Sequence, residues 1–199
     1  MTGIKLCGLS RMKDIETVNL LQPEYIGFVF APASRRYVKA ETAALLRKAL
    51  IPGIQAVGVF VDEKPETAAA LLNAGIIDLA QLHGSEDEAY ISRLRRLTAA
   101  PLIKAFRIRS REDVSKARES SADHILLDHG AGTGAAFDWS LIRQLDRPYF
   151  LAGGLYPENV AEAVRSLRPF AVDVSSGIET DGRKDSRKMK AFVEAVRGA

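Results

Sequence analysis

The sequence predicts an α/β chain folded as a single closed (β/α)8 barrel, the TIM-barrel arrangement, over residues 1–199. Three observations predict it. Short apolar, β-branched runs alternate eight times with longer amphipathic ones. The short runs are apolar at nearly every position, as parallel strands covered by helices are. The 199 residues also divide into units of roughly 25, close to the least that strand, loop and helix need together. Alternation alone fits an open doubly wound sheet equally well; eight repeats favour closure.

The elements follow in order. Strands are expected at residues 4–7, 25–30, 56–61, 79–82, 102–106, 124–127, 149–151 and 171–174. Helices are expected at 13–21, 40–49 and 65–74, the last opened by Pro65, because a first-turn proline loses no hydrogen bond. Ser85-Glu86-Asp87-Glu88 reads as a capping box for the fourth helix, and Ser110-Arg111-Glu112-Asp113 as a looser one for the fifth. Further helices are expected at 139–145, 157–167 and 186–196, with Asp138 as N-cap of the first of these. No linker, low-complexity stretch or shift in composition divides the chain.

Composition narrows the classes of function. Hydrophobic residues make up 47% and charged residues 27%, ordinary values for a globular protein. The net charge of +3 suits a small anion and is too weak to argue for nucleic acid. One cysteine, Cys7, allows no internal disulfide; His83, His124 and His129 do not fall into ligand spacing with it, so no metal is expected. No apolar run approaches the ~18 residues of a membrane span. The N-terminus lacks a secretory apolar segment, so a cytoplasmic location is expected.

In such barrels the chemistry sits at the C-terminal ends of the strands. The polar groups gather at those ends: Cys7-Gly8, Ser34-Arg35-Arg36, Asp62, His83-Gly84, Arg107, Asp128, Gly153-Gly154 and Ser175-Ser176-Gly177. The last two groups end the seventh and eighth strands. Glycine lets the backbone approach an anion, and amides there can point at phosphate oxygens. A phosphorylated small molecule is therefore expected at Gly153, Gly154, Ser175 and Ser176. Cys7 reads either as a small buried apolar group or as a base, since a modest perturbation brings a thiol into the useful range. Asp128 reads either as a turn cap or as an acid whose pKa burial would raise. Arg36 or its neighbour Arg35 suits a carboxylate; both also fit a solvated loop. His83 fits a substrate contact or a structural role. The glycine-rich stretch from His129 to Gly134 suggests a flap over the site.

These segments together resemble the phosphoribosylanthranilate isomerase family of tryptophan biosynthesis. The resemblance runs from Lys5-Leu6-Cys7-Gly8 through Gly27-Phe28-Val29-Phe30, Ser34-Arg35-Arg36, Gln81-Leu82-His83-Gly84, Leu126-Leu127-Asp128, Leu151-Ala152-Gly153-Gly154 and Asp173-Val174-Ser175-Ser176-Gly177-Ile178-Glu179 to Gly182, Lys184 and Asp185. It implies an Amadori rearrangement of N-(5-phosphoribosyl)anthranilate without a cofactor, with Cys7 as general base and Asp128 as general acid. It further implies phosphate at the Gly153 and Ser175 loops and the anthranilate carboxylate at Arg36; His83 and Asp173 are expected as substrate contacts. A monomer or a homodimer is compatible with it. Leu9, Ser10, Arg35 and Ala131 depart from the family pattern, where Ile, Thr, Pro and Gly are usual. The departure at Arg35 leaves open which arginine faces the ligand. Two rivals stand beside this reading: the related histidine-pathway isomerase, which has an acid in place of Cys7, and a catalytically silent metabolite sensor.

Overall fold

The computed structural model describes residues 1–128, 139–143 and 145–199. Eight parallel strands close into a barrel in sequence order: β1 (Gly3–Cys7), β2 (Tyr25–Val29), β3 (Gln55–Phe60), β4 (Leu79–Leu82), β5 (Leu102–Arg107), β6 (His124–Asp128), β7 (Tyr149–Ala152) and β8 (Ala171–Val174). The last strand returns to the first, with Ile4 opposite Val172 and Lys5 opposite Asp173. Closure removes the exposed edges that an open sheet must protect. Among the described residues seven α-helices follow the strands: α1 (Met12–Leu21), α2 (Ala40–Lys48), α3 (Pro65–Asn73), α4 (Glu88–Arg95), α5 (Arg111–Glu119), α6 (Pro157–Leu167) and α7 (Ser186–Arg197).

The continuous apolarity of the strands has a simple cause. Side chains alternate between the two faces of a strand, and both faces are covered. Val57, Leu79, Ile103, Leu126 and Phe150 fill the barrel interior. Their neighbours Ile4, Ile26, Ala56 and Phe60 face outward and pack on Ile15, Val18, Leu46 and Phe192 of the helices.

Strand bounds, and those of the helices at 13–21, 40–49, 65–74, 157–167 and 186–196, differ from expectation by one residue at most. Three other expectations need correction. The fourth helix is not opened by a Ser85–Glu88 box. Its N-cap is Asp87, which accepts from the Tyr90 amide at 2.9 Å. Glu86 is instead buried, because Lys104 donates to its Oε2 at 2.9 Å. The Asp62 and Gly84 amides each donate to it at 2.8 Å, so this carboxylate pins the loops after β3 and β4. The Ser110 box is present, Ser110 and Asp113 each accepting from the other's amide. The expected helix at 139–145 is, among the described residues, a 3-10 turn over Trp139–Leu141. The expected N-cap Asp138 and the expected flap at 129–134 lie outside the described residues.

The third correction is an addition. After β8 and a 3-10 turn (Ser176–Ile178), a short antiparallel hairpin joins β9 (Glu179–Thr180) to β10 (Arg183–Lys184). Its turn residues Asp181 and Gly182 have φ of 50° and 75°. That is the geometry for which Asp-Gly is the preferred pair, so the signal was in the sequence. The hairpin carries two charged residues to the barrel mouth.

Candidate active site

Cys7, Arg36, His83, Asp128, Gly153, Gly154, Asp173, Ser175 and Ser176 all border one cavity of about 320 Å³ at the C-terminal ends of the strands. Arg35 does not border it. A larger hollow, about 790 Å³, lies at the opposite end, among the chain termini, Arg168 and Arg197. Its carboxylate, Glu24, accepts from the Ile4 amide. The smaller cavity is the one that collects groups able to move a proton and hold an anion.

Cys7 ends β1 with its side chain buried. Gly27 lies opposite it on β2. A Cβ at residue 27 would stand 2.6 Å from the Cys7 sulfur, so only glycine leaves room for the thiol there. Burial pushes the Cys7 thiol pKa up; the ammonium of Lys5, and less strongly that of Lys184, pull against it. Lys5 is fully buried and donates to Asp173 Oδ1 at 2.9 Å. Neither lysine was singled out in the sequence reading. The signal available was a charge two residues before Cys7 in an otherwise apolar strand, matched by an acid two residues before Ser175.

Asp128 ends β6, opposite Arg107 on β5. Its Oδ2 lies 3.3 Å from His83 Nε2, while His83 Nδ1 lies 2.8 Å from Gln81 Nε2. An amide nitrogen only donates, so with this amide orientation Nδ1 accepts and Nε2 carries the proton donated to Asp128. His83 therefore borders the cavity as a donor to Asp128.

At the other side, Gly153 and Gly154 have φ of 90° and 66°, a left-handed pair that glycine adopts without a Cβ clash. Asn159 Nδ2 donates to the Gly154 carbonyl at 3.0 Å and holds the loop on α6. A Cβ on Gly177 would meet the Leu155 carbonyl oxygen at 2.0 Å. Glycine at 177 thus lets the two loops close on each other. Ser175 Oγ donates to the Cys7 carbonyl at 3.2 Å, and Lys184 Nζ donates to the Ser175 carbonyl at 2.8 Å. One network therefore ties the glycine-rich side to the strand that carries the thiol.

Arg36 is held by the protein itself at the cavity. Its Nε and Nη2 donate to the two oxygens of Glu179 at 2.6 and 2.9 Å, so that bidentate edge is filled by the protein's own carboxylate. Arg35 and Lys184 also reach Glu179, each at 2.7 Å. Burial would raise the Glu179 pKa, but bonds from Arg36 and Lys184 outweigh it and hold it at about 2. The carboxylate fixes the Arg36 guanidinium at the cavity wall through two of its three nitrogens. Asp173, at the edge of the cavity, is likewise engaged: its Oδ1 accepts from Lys5.

The comparisons with known proteins agree with one another. A family model described as N-(5'-phosphoribosyl)anthranilate (PRA) isomerase matches residues 4–195. A protein of that name from Acetivibrio thermocellus is 45% identical, across 100% of this chain and 97% of its own length. Another from Thermoanaerobacter sp. is 43% identical, across 100% and 99%. A crystal structure of the Thermotoga maritima enzyme is 36% identical with a TM-score of 0.89, covering 100% of both chains. A phosphoribosyl anthranilate isomerase solved in complex with reduced 1-(o-carboxyphenylamino)-1-deoxyribulose 5-phosphate is also 36% identical, with a TM-score of 0.88 and full coverage of both chains. The barrel and the match over residues 4–195 lead to one conclusion: the chain belongs to the N-(5'-phosphoribosyl)anthranilate isomerase family.

Proposed function

We propose that this chain converts N-(5'-phosphoribosyl)anthranilate to 1-(2-carboxyphenylamino)-1-deoxyribulose 5-phosphate, the Amadori step of tryptophan biosynthesis, with Cys7 as base and Asp128 as acid. The observation that carries the assignment is that both residues border one cavity whose far wall is the pair of glycine-rich loops after β7 and β8. Asp128, protonated, gives its proton to the ribose ring oxygen as the C1–O bond breaks and the amine lone pair forms C1=N. The Cys7 thiolate then takes the proton from C2. The C–H electrons become the C1=C2 bond and nitrogen regains its lone pair. The resulting enolamine tautomerises to the ketone. Both transfers are general acid–base steps, each worth typically 10²–10⁴-fold.

The remaining groups bind. Gly153, Gly154, Ser175 and Ser176 would hold the phosphate through backbone amides and hydroxyls. Arg36 would meet the anthranilate carboxylate from the cavity wall. Asp173 would act on the substrate indirectly, by holding Lys5. A single barrel domain over residues 1–199 carries all of these groups around one cavity. Monomer and homodimer serve equally, and a reducing cytoplasm suits a working thiol. No helix among the described residues is long and apolar enough to cross a membrane.

The test is direct. Purified protein given phosphoribosylanthranilate should consume it, followed by loss of anthranilate-type fluorescence. Cys7→Ala and Asp128→Ala should each lose several orders of magnitude in turnover while the far-ultraviolet circular dichroism is unchanged. Wild-type protein that leaves the substrate untouched would overturn the assignment.

A further inference from the structure

A base at Cys7 must be a thiolate, yet the thiol lies where water does little to stabilise one. Cys7 is 7% exposed, and burial disfavours the charged form of any acid. Two residues back on the same strand, and therefore on the same face, stands Lys5, 0% exposed. Lysine is almost never fully buried unless paired. Its ammonium donates to Asp173 at 2.9 Å, and Asp173 lies opposite in register on β8. Elsewhere the barrel interior is filled mainly by apolar side chains such as Val57, Ile103 and Leu126, with the uncharged Gln81 among them. An apolar pair in place of Lys5 and Asp173 would often be as stable or more so. Packing alone does not account for an ion pair here, next to the thiol.

We propose that Lys5 is a positioning residue for the reaction: its buried ammonium, anchored by Asp173 and set two residues from Cys7 on the same strand face, is the fixed positive charge that offsets the cost of burying the Cys7 thiolate. The inference rests on Cys7 being the base. Lys5 stays an ammonium throughout, and the proton from C2 goes to sulfur. The charged groups that act on the thiol include Lys5 on its own strand, Asp173 from β8, Lys184 from β10 and Arg36 from the segment after β2. Lys184 is shared with Glu179 and Ser175, and Arg36 with Glu179. Lys5 shares its strand face with the sulfur, and its charge is foremost among the influences that oppose burial there. Burial pulls the Lys5 pKa down, but Asp173 and Cys7 outweigh it and leave it raised. The charge therefore persists over the range in which a thiol titrates.

The chain has one cysteine, so a thiol reagent reports on Cys7 alone. The experiment measures the rate of iodoacetamide alkylation against pH in wild type, Lys5→Met and Asp173→Asn, with Cys7→Ala as background. In Lys5→Met the thiol should titrate about one pH unit higher or more, slowing alkylation near neutrality roughly tenfold. The acid limb of kcat/KM should move upward with it. Asp173→Asn should shift the titration the other way, because a negative charge is lost while an amide oxygen still accepts from Lys5. If Lys5→Met does not fold, the sign of the Asp173→Asn shift decides. An unmoved titration in folded Lys5→Met, or an upward shift in Asp173→Asn, would overturn the proposal. So would loss of folding in both variants, which would assign the pair to stability alone. Titrations that move as expected in a protein that does not turn over phosphoribosylanthranilate would sink the assigned reaction while upholding the coupling of Lys5 to Cys7.

Discussion

Glu179→Gln isolates the carboxylate on which the barrel mouth converges. Glu179 accepts from Arg36 at 2.6 and 2.9 Å and from Arg35 and Lys184 at 2.7 Å each. Its pKa is held at about 2, against an ordinary value of 4.5. At about 1.4 kcal/mol per pH unit this displacement corresponds to roughly 3 kcal/mol of native stability. That figure is a ceiling, because the Arg35 partner is 61% exposed and solvent screens its share to below about 1 kcal/mol. The expected loss on Glu179→Gln is therefore about 2 kcal/mol near neutral pH. A group whose pKa is depressed on folding contributes its stability in full above the unfolded value and loses it as pH falls toward the folded one. The gap between wild type and variant should thus be constant above about 4.5 and shrink as pH falls toward about 2. Urea midpoints of both proteins across that range measure it, and the subtraction removes the other carboxylates. Equal midpoints at neutral pH, or a gap that persists unchanged through the acid range, would refute the reasoning.

Two further outcomes bear on the same site. Arg36→Ala should raise KM about tenfold or more with little change in kcat, the signature of lost uniform binding; steady-state kinetics check this, and a fall in kcat with KM unmoved would remove Arg36 from the carboxylate contact. Gly27→Ala places a Cβ where the Cys7 sulfur stands, at 2.6 Å, and displacing a reacting group by ~1 Å costs on the order of 10²-fold. The variant should keep its circular dichroism and lose kcat/KM by about that factor, whereas wild-type kinetics would show that the thiol position is not critical.

The (β/α)8 architecture was legible because it rests on local regularities. Strands covered on both faces must be apolar throughout, and runs such as Ile125-Leu126-Leu127 show this without any knowledge of their neighbours. The ends of those runs located the cavity as well. Cys7, Asp128, Gly153 and Ser175 follow apolar strands, and a closed parallel barrel brings every such end to one face. What the pattern did not carry is who pairs with whom. Ser85-Glu86-Asp87-Glu88 has the local spacing of a cap, yet Glu86 is claimed by Lys104 from the neighbouring strand β5, and the capping falls to Asp87.

Sequence by itself therefore determined the rhythm of the strands and which residues stand at their C-terminal ends, because both follow from the alternation of side chains along a strand. Only the tertiary structure decided the ionic partners. Lys5 meets Asp173 across 168 positions and Arg36 meets Glu179 across 143. Such pairings depend on barrel closure and on the return of the Asp181-Gly182 hairpin, not on spacing along the chain. A charge in an apolar run shows that a partner exists, since an unpaired buried charge is too costly, while which group answers it is a matter of the fold.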